Sequence, residues 1–427
     1  MEHSTIQIII SSTIFITAYI LIIWDKFNRT VVALSGASLM ILFKILSQEN
    51  AFKEIDFNTL GLLISMMVIV MITKRSGVFE YMAVKTVKIA KGEPIKIIIL
   101  LAIITGLLSA VLDNVTTILL ILPVTLRIAR DLHINPIPFI ITEVFASNIG
   151  GTATLIGGPP NIMIGSSVGL SFMDFIKNDA PIAIPLLFIT IYILVLMFRK
   201  KLVTTHEAKA KIMDMDEKEC IKDRKLLIKS MIVLSLTILG FMLHSVLHYE
   251  SATIAIGGAV ALLFISNIHP EKIFHEVEWK TIFFFVGLFI MVGGLKEAGV
   301  IKILAKGVID LTQGDIVLTT MAILWVSAIA SAFIDNIPFV ATMIPLIKDM
   351  VAISGMNLTP VWWALSLGAC LGGNGTIIGA STNVIAIGMA EEHGHKITFG
   401  RYLKIAFPIM ILTIVACSIY LLVFYLI

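Results

Sequence analysis

The sequence predicts an all-α integral membrane protein made of two inverted repeats of five transmembrane helices each, with two re-entrant helical hairpins and two broken helices. Three observations lead there. First, 58% of the 427 residues are hydrophobic, 14% are charged, and mean hydropathy is +0.98, well beyond the soluble range. Second, the chain repeats itself at a constant offset of 222. Asp113-Asn114 returns as Asp335-Asn336, Ser109-Ala110 as Ser331-Ala332, Pro123 as Pro345, Gly150-Gly151 as Gly372-Gly373, Thr154 as Thr376 and Asn161 as Asn383. Third, the shared residues are Gly, Pro, Asp and Asn set inside apolar runs, the composition of discontinuous helices near a bilayer midplane.

Apolar runs place the first-half spans near 5–24, 29–47, 58–74, 136–169 and 181–199, and the second-half spans near 227–247, 251–268, 280–295, 359–392 and 403–427. Most are long enough to cross about 30 Å of hydrocarbon. The first run lacks a basic leader and an Ala-x-Ala cleavage site, so it reads as a retained span. Amphipathic stretches at 78–91 and 300–312 precede apolar segments at 94–131 and 316–350. Each of those segments has room for two half-length helices, turning at Asp113-Asn114 or Asp335-Asn336. A non-helical tip at that depth needs protein or a water-filled cavity around it.

Five spans per half is odd, so the second copy enters the membrane upside down. The domains read as 1–199, a basic linker at 200–224, and 225–427. Arg199, Lys200, Lys201, Lys209, Lys211, Lys218, Lys222, Arg224, Lys225 and Lys229 crowd the linker region. The positive-inside bias makes that loop cytoplasmic and both termini external. The loops carrying Lys26 and Arg29, 74–96 and 393–404 then also fall inside, whereas Lys53, Lys177, Lys296, Lys302 and Lys306 fall outside.

Asn148 to Asn161 reads N-I-G-G-T-A-T-L-I-G-G-P-P-N, and Cys370 to Asn383 reads C-L-G-G-N-G-T-I-I-G-A-S-T-N. Glycines and prolines should unwind both stretches, freeing carbonyls for a cation and half-helix N-termini for an anion. Asn148, Gly150, Gly151, Thr152, Thr154, Gly157 and Asn161, with Gly372, Gly373, Asn374, Thr376, Gly379 and Asn383, are therefore candidate binding residues. The alternative is a packing kink.

Asp113 and Asp335, with Asn114, Thr116 and Asn336, are the other candidates. A carboxylate near the bilayer centre costs about 2.5–3.5 kcal/mol. Either it contacts an ion or proton, or it caps the returning helix; both readings stay open. Glu143, whose repeat mate is Leu365, is a third candidate for proton coupling alongside the two aspartates. Cys370 reads as a soft ligand for a metalloid or as a small core residue. Cys220, Cys370 and Cys417 form neither a disulfide framework nor a metal site, and His393 and His395 read as solvated.

The segments L-D-N-V-T-T, A-S-N-I-G-G-T-A-T-L-I-G-G-P-P-N and F-I-D-N-I-P-F resemble the ion transporter superfamily. The resemblance is to the branch of arsenite permeases, NhaD-type sodium/proton antiporters and the melanosomal P protein, and it covers nearly the whole chain. It implies a scaffold, a mobile transport domain and elevator-type alternating access, with a cavity formed by the tips at 109–116 and 331–338 and by the two broken loops. It also implies a homodimer.

Dicarboxylate carriers of the superfamily carry neutral tips. Two added carboxylates would repel a dianion, so a citrate-like symporter ranks below a transporter of Na+ or of arsenite or antimonite driven by a proton or sodium gradient. An ion channel is the alternative class; no continuous polar path is visible for it. No catalytic constellation, ATP motif or nucleic-acid-binding face is present. An enzyme is not expected, no cofactor is expected beyond a bound Na+, and an ATP-driven mode would require a separate ATPase subunit.

Overall fold

The computed structural model describes residues 5–24, 26–213 and 216–427; Asp214 and Met215 of the linker, and the side chain of Lys211, lie outside the described residues. The first half runs α1 Thr5–Trp24, α2 Arg29–Leu42, α3 Gln48–Lys53, α4 Phe57–Lys74, α5 Val78–Ile89, α6 Pro94–Val111, α7 Asn114–Asp131, α8 Ile137–Thr152, α9 Pro159–Val168, α10 Phe172–Asn178 and α11 Ala180–Phe198. After α12, His206–Met213, the second half runs α13 Arg224–Leu247, α14 Ser251–Ser266, α15 Pro270–Phe274, α16 Trp279–Glu297, α17 Val300–Thr312, α18 Ile316–Phe333, α19 Asn336–Ser354, α20 Thr359–Gly372, α21 Ser381–Glu392 and α22 Phe399–Leu421.

Shifted by 222 residues, α1–α9 overlie α13–α21, and α11 overlies α22; α6 maps onto α18 residue for residue. Among α1–α11, only α10 has no helical mate. The start signals also repeat. Asp113 and Asp335 cap α7 and α19, and Gly77 and Gly299, both left-handed with φ of +82° and +81°, turn the chain into the amphipathic α5 and α17. At Gly77 a side chain is impossible for a second reason: a Cβ there would sit 1.8 Å from the Cys220 carbonyl oxygen.

The halves interlock about a pseudo-two-fold axis. α2 packs on α16 as α14 packs on α4, α9 lies on α19 and α20 as α21 lies on α7 and α8, and α8 meets α20. Such reciprocal pairing is the contact pattern of an isologous interface. α1, α2 and α4 with α13, α14 and α16 make one interleaved set. The hairpins, broken helices, α11 and α22 make the other.

Three expectations are corrected. The hairpin arms are not half-length: α6, α7 and α18 have 18 residues and α19 has 19, about 27 Å at 1.5 Å per residue. Their apolar runs continue to the tip, and α7 and α19 stay helical through the interior Pro123 and Pro345. The second span of each half is shorter than expected, 14 residues in α2 and 16 in α14, because left-handed residues at Lys44 and Asn267 turn the chain away. Nine described helices are long and apolar enough to cross a membrane, the hairpin arms α6, α18 and α19 among them.

The breaks are shorter than expected. Asn148, Gly150, Gly151 and Thr152 remain helical, as do Cys370 to Gly372; only 153–158 leaves helix in the first half, and the second replaces it with short 3-10 turns at Gly373–Gly375 and Ile377–Gly379. Gly150 does not unwind α8. It lets the helix touch α6, since a Cβ there would stand 2.1 Å from the Gly106 carbonyl oxygen; Gly372 does the same against Ala328, at 2.4 Å.

Candidate functional site

At each tip the aspartate is an N-cap. Asp113 Oδ1 accepts from the Thr116 amide at 2.9 Å, and the Thr116 hydroxyl donates to Oδ2. Asp335 Oδ1 accepts from the Ile337 amide at 3.0 Å. The first tip is anchored to α8 through Ser109, whose hydroxyl donates to the Ser147 carbonyl at 2.7 Å, and Ser331 does the same to Ala369 at 2.6 Å. Thr154 and Thr376 tie the broken loops back to the hairpins by donating to the Ala110 and Ala332 carbonyls. Asn336 is buried at the second tip.

The broken segments meet through amides. Asn114 Nδ2 donates to Asn148 Oδ1 at 3.2 Å; Asn148 Nδ2 donates to Asn374 and Asn383 Oδ1, each at 2.9 Å. Asn148, Asn374 and Asn383 are at most 2% exposed. One hydrogen-bonded path thus joins the first hairpin tip, the end of α8 and both sides of the second break. The axis shows again here: Asn148 faces Asn383, and their mates Cys370 and Asn161 face each other with Sγ 3.4 Å from Oδ1.

The carbonyls freed by the breaks are largely occupied, contrary to the expectation that they stand open for a cation. Asn161 Nδ2 faces the Thr152 and Thr154 carbonyls at 3.0 and 2.9 Å, and Asn383 Nδ2 those of Gly373 and Thr376, both at 2.8 Å. Side-chain amides here do what capping groups do at any helix end. Gly151 and Gly157, and likewise Gly373 and Gly379, pass backbone to backbone across each break. α9 makes a poor anion seat, because Pro159 and Pro160 carry no N–H and the Asn161 and Ile162 amides bond to Gly158.

The two aspartates differ in their partners. Asp335 Oδ2 accepts from Ser381 Oγ at 2.6 Å and lies 3.2 Å from Arg29 Nη1, which also donates to Ser381 at 2.8 Å. Asp113 has no ion-pair partner among the described residues. The repeat explains why: the mates of Arg29 and Ser381 are Ser251 and Pro159.

Asp335, Arg29 and Ser381 line a cavity of about 830 Å³ together with Lys26, Glu276, Glu278 and Lys280. Burial holds the Glu278 carboxyl above the usual range and neighbouring Asp113 adds to this, while Thr281 and Arg29 oppose it. A second cavity of about 340 Å³, lined by Glu54, Asp56, Ser166, Lys296 and Lys348, lies at the other end of α16. Its Glu54-Ile55-Asp56 stretch is the repeat mate of Glu276-Val277-Glu278.

Glu143 is 1% exposed and accepts from Thr125 on α7 at 2.7 Å; its Oε2 has no partner among the described residues. It bonds to a hairpin arm and not to the broken loop. Sequence reading missed Arg29, Ser381, Ser366 and Asp179. Arg29 looked like one more loop charge, and only its place opposite an acidic tip distinguishes it.

A family model described as citrate transporter (CitMHS) matches residues 19–368. An "uncharacterized transporter" of Mycobacterium bovis is 44% identical over 97% of each chain. The human P protein is 34% identical over 98% of this chain and 60% of its own length. The crystal structure of the Alcanivorax borkumensis YdaH transporter, described as having an unusual topology, aligns over 95% of this chain and 98% of that one with a TM-score of 0.61 at 13% identity; this is a likeness of fold. A multi-pass helical membrane protein with the repeated hairpins and breaks resembled at the outset, matched over most of its length by that family model, this chain belongs to the citrate transporter (CitMHS) family.

Proposed function

We propose that this membrane transporter is a secondary active transporter of a small inorganic ion, Na+ or arsenite/antimonite, coupled to a proton or sodium gradient. The binding site is the junction of the two hairpin tips with the Asn148–Asn383 network. The observation that carries this reading is the Asp335 carboxylate, on the cavity wall with a guanidinium beside it. A carboxylate already matched to a cationic group is a place where a cation or a proton can bind in exchange. The acids at both tips and the prolines opening α9 disfavour a multiply charged anion.

A sodium-coupled carboxylate symporter is the second reading. It is favoured by the family's description and by Lys26, Arg29 and Lys280 at the cavity. The positive-inside bias of the basic linker supports an orientation in the cytoplasmic membrane with the cavity mouth beside Arg29 facing the cytoplasm and both termini outside. A homodimer is the assembly we propose. Everted vesicles carrying a fluorescent pH reporter test the function. Dequenching on addition of Na+ supports antiport, arsenite exclusion from expressing cells supports the permease, and sodium-dependent citrate uptake without either would replace the proposal with the second reading.

A further inference from the structure

Two carboxyl groups outside the hairpin tips are enclosed, Glu143 and Asp179, and the second touches the first broken loop through a single hydroxyl. Asp179, between α10 and α11, is 0% exposed, although K-N-D-A-P around it reads as a loop. It does not cap α11, makes no ion pair among the described residues, and leaves Oδ1 without a partner. Its Oδ2 lies 2.5 Å from Ser366 Oγ on α20, and that hydroxyl lies 2.8 Å from Asn161 Oδ1.

Counting hydrogens assigns the proton. Asn161 presents Nδ2 to the Gly151, Thr152 and Thr154 carbonyls, so its Oδ1 can only accept. Ser366 has a single hydroxyl hydrogen and faces two oxygens. If that hydrogen goes to Asn161, the short contact to Asp179 is a hydrogen bond only when the acid supplies the proton. If it goes to Asp179, Ser366 and Asn161 oppose lone pairs, and an ionised carboxylate stays buried with one bond and a bare oxygen, the costlier arrangement. Cys370 and Cys417 lie around Asp179, with Tyr420 and Tyr425 on the outer side. None of these is a cation. Lys177 lies farther out, lining a surface depression with both tyrosines.

We propose that Asp179 is a proton-binding site of the transport core, loaded in this state and linked to the first broken loop through Ser366 and Asn161. The proposal rests on the transporter reading above for its role and on geometry for its existence. When the loop rearranges and Asn161 withdraws its oxygen, the Ser366 hydroxyl is free to turn to Asp179. The Asp179 O–H bond then breaks, its proton passes to water, and Ser366 donates to the carboxylate left behind. The repeat supplies no second copy, because the mates of Asp179 and Ser366 are Arg401 and Val144.

Infrared spectra of the full chain in lipid nanodiscs test the site, and proton flux in vesicles tests the role. Asp179→Asn keeps a donor toward Ser366 but has no proton to release. Wild type minus Asp179→Asn should show one protonated-carboxyl band at neutral pH. That band should shift in Ser366→Ala and fade as pH is raised. No difference band, or a band unchanged at every pH at which the protein stays folded, overturns the proposal. In vesicles pulsed with Na+ or arsenite, Asp179→Asn should lower proton flux at least tenfold at equal protein level; unchanged flux also overturns it. Absence of flux in wild type rejects the transporter reading instead and leaves the spectra to decide the site.

Discussion

Arg29 pairs with Asp335, so under the proposed function it competes with a cation for that carboxylate, and removing it should tighten cation binding instead of weakening it. The Arg29 side chain is 37% exposed and that of Asp335 12%, with Nη1 and Oδ2 3.2 Å apart. A pair this open to solvent contributes about 1 kcal/mol or less to folding. Without Arg29, Asp335 keeps its bonds from Ser381 and from the Ile337 amide. Arg29→Ala should therefore unfold within about 1 kcal/mol of wild type. Its competition at the carboxylate is worth about 1–2 kcal/mol once screening is included, roughly a 5- to 30-fold gain in apparent affinity. The assay is the Na+ concentration dependence of vesicle dequenching, with Arg29→Lys as the charge-retaining control. An unchanged or weaker apparent affinity in Arg29→Ala, at normal stability, would refute the competition.

Asn148→Ala deprives Asn114, Asn374 and Asn383 of buried partners and should cost about 3 kcal/mol in detergent unfolding. Asn148→Asp should cost more, because it turns an acceptor toward two side-chain carbonyl oxygens; the opposite order would mean the amides are not oriented as described. Gly150→Ala forces α8 away from Gly106 and should lose about 1–3 kcal/mol. Gly257→Ala, where no atom beyond the local helix backbone lies within 4 Å of the added carbon, should be neutral or gain up to about 1 kcal/mol from helix propensity. Equal unfolding temperatures for these two would remove the close-packing role given to Gly150.

Element order was legible because the sequence states it twice. Asp113-Asn114 and Asp335-Asn336 marked both hairpin turns, and α6 and α18 fall 222 residues apart residue for residue. What the repeat could not carry was whatever differs between halves. Arg29 on Asp335 and Asp179 on Ser366 are cross-element contacts whose mates are Ser251, Arg401 and Val144, so no internal comparison points to them. Composition misled at the breaks. Gly150 and Gly372 look like helix breakers in isolation, yet each serves a helix crossing, a distinction that depends on what stands opposite. The carbonyls at Thr152 and Thr376 looked open for the same reason; the Asn161 and Asn383 amides that fill them lie nine and seven residues away and become neighbours only once the chain turns.

The central claim is that the acidic hairpin tips and the broken loops beside them form one ion site. Proton flux in everted vesicles from Asp113→Asn and Asp335→Asn, matched to wild type for protein in the membrane, tests it most directly. The account predicts that Asp335→Asn abolishes coupled flux and that Asp113→Asn, which keeps a side-chain oxygen for the Thr116 amide, leaves a folded protein with coupling lost or strongly reduced. Wild-type coupling in both variants would contradict it.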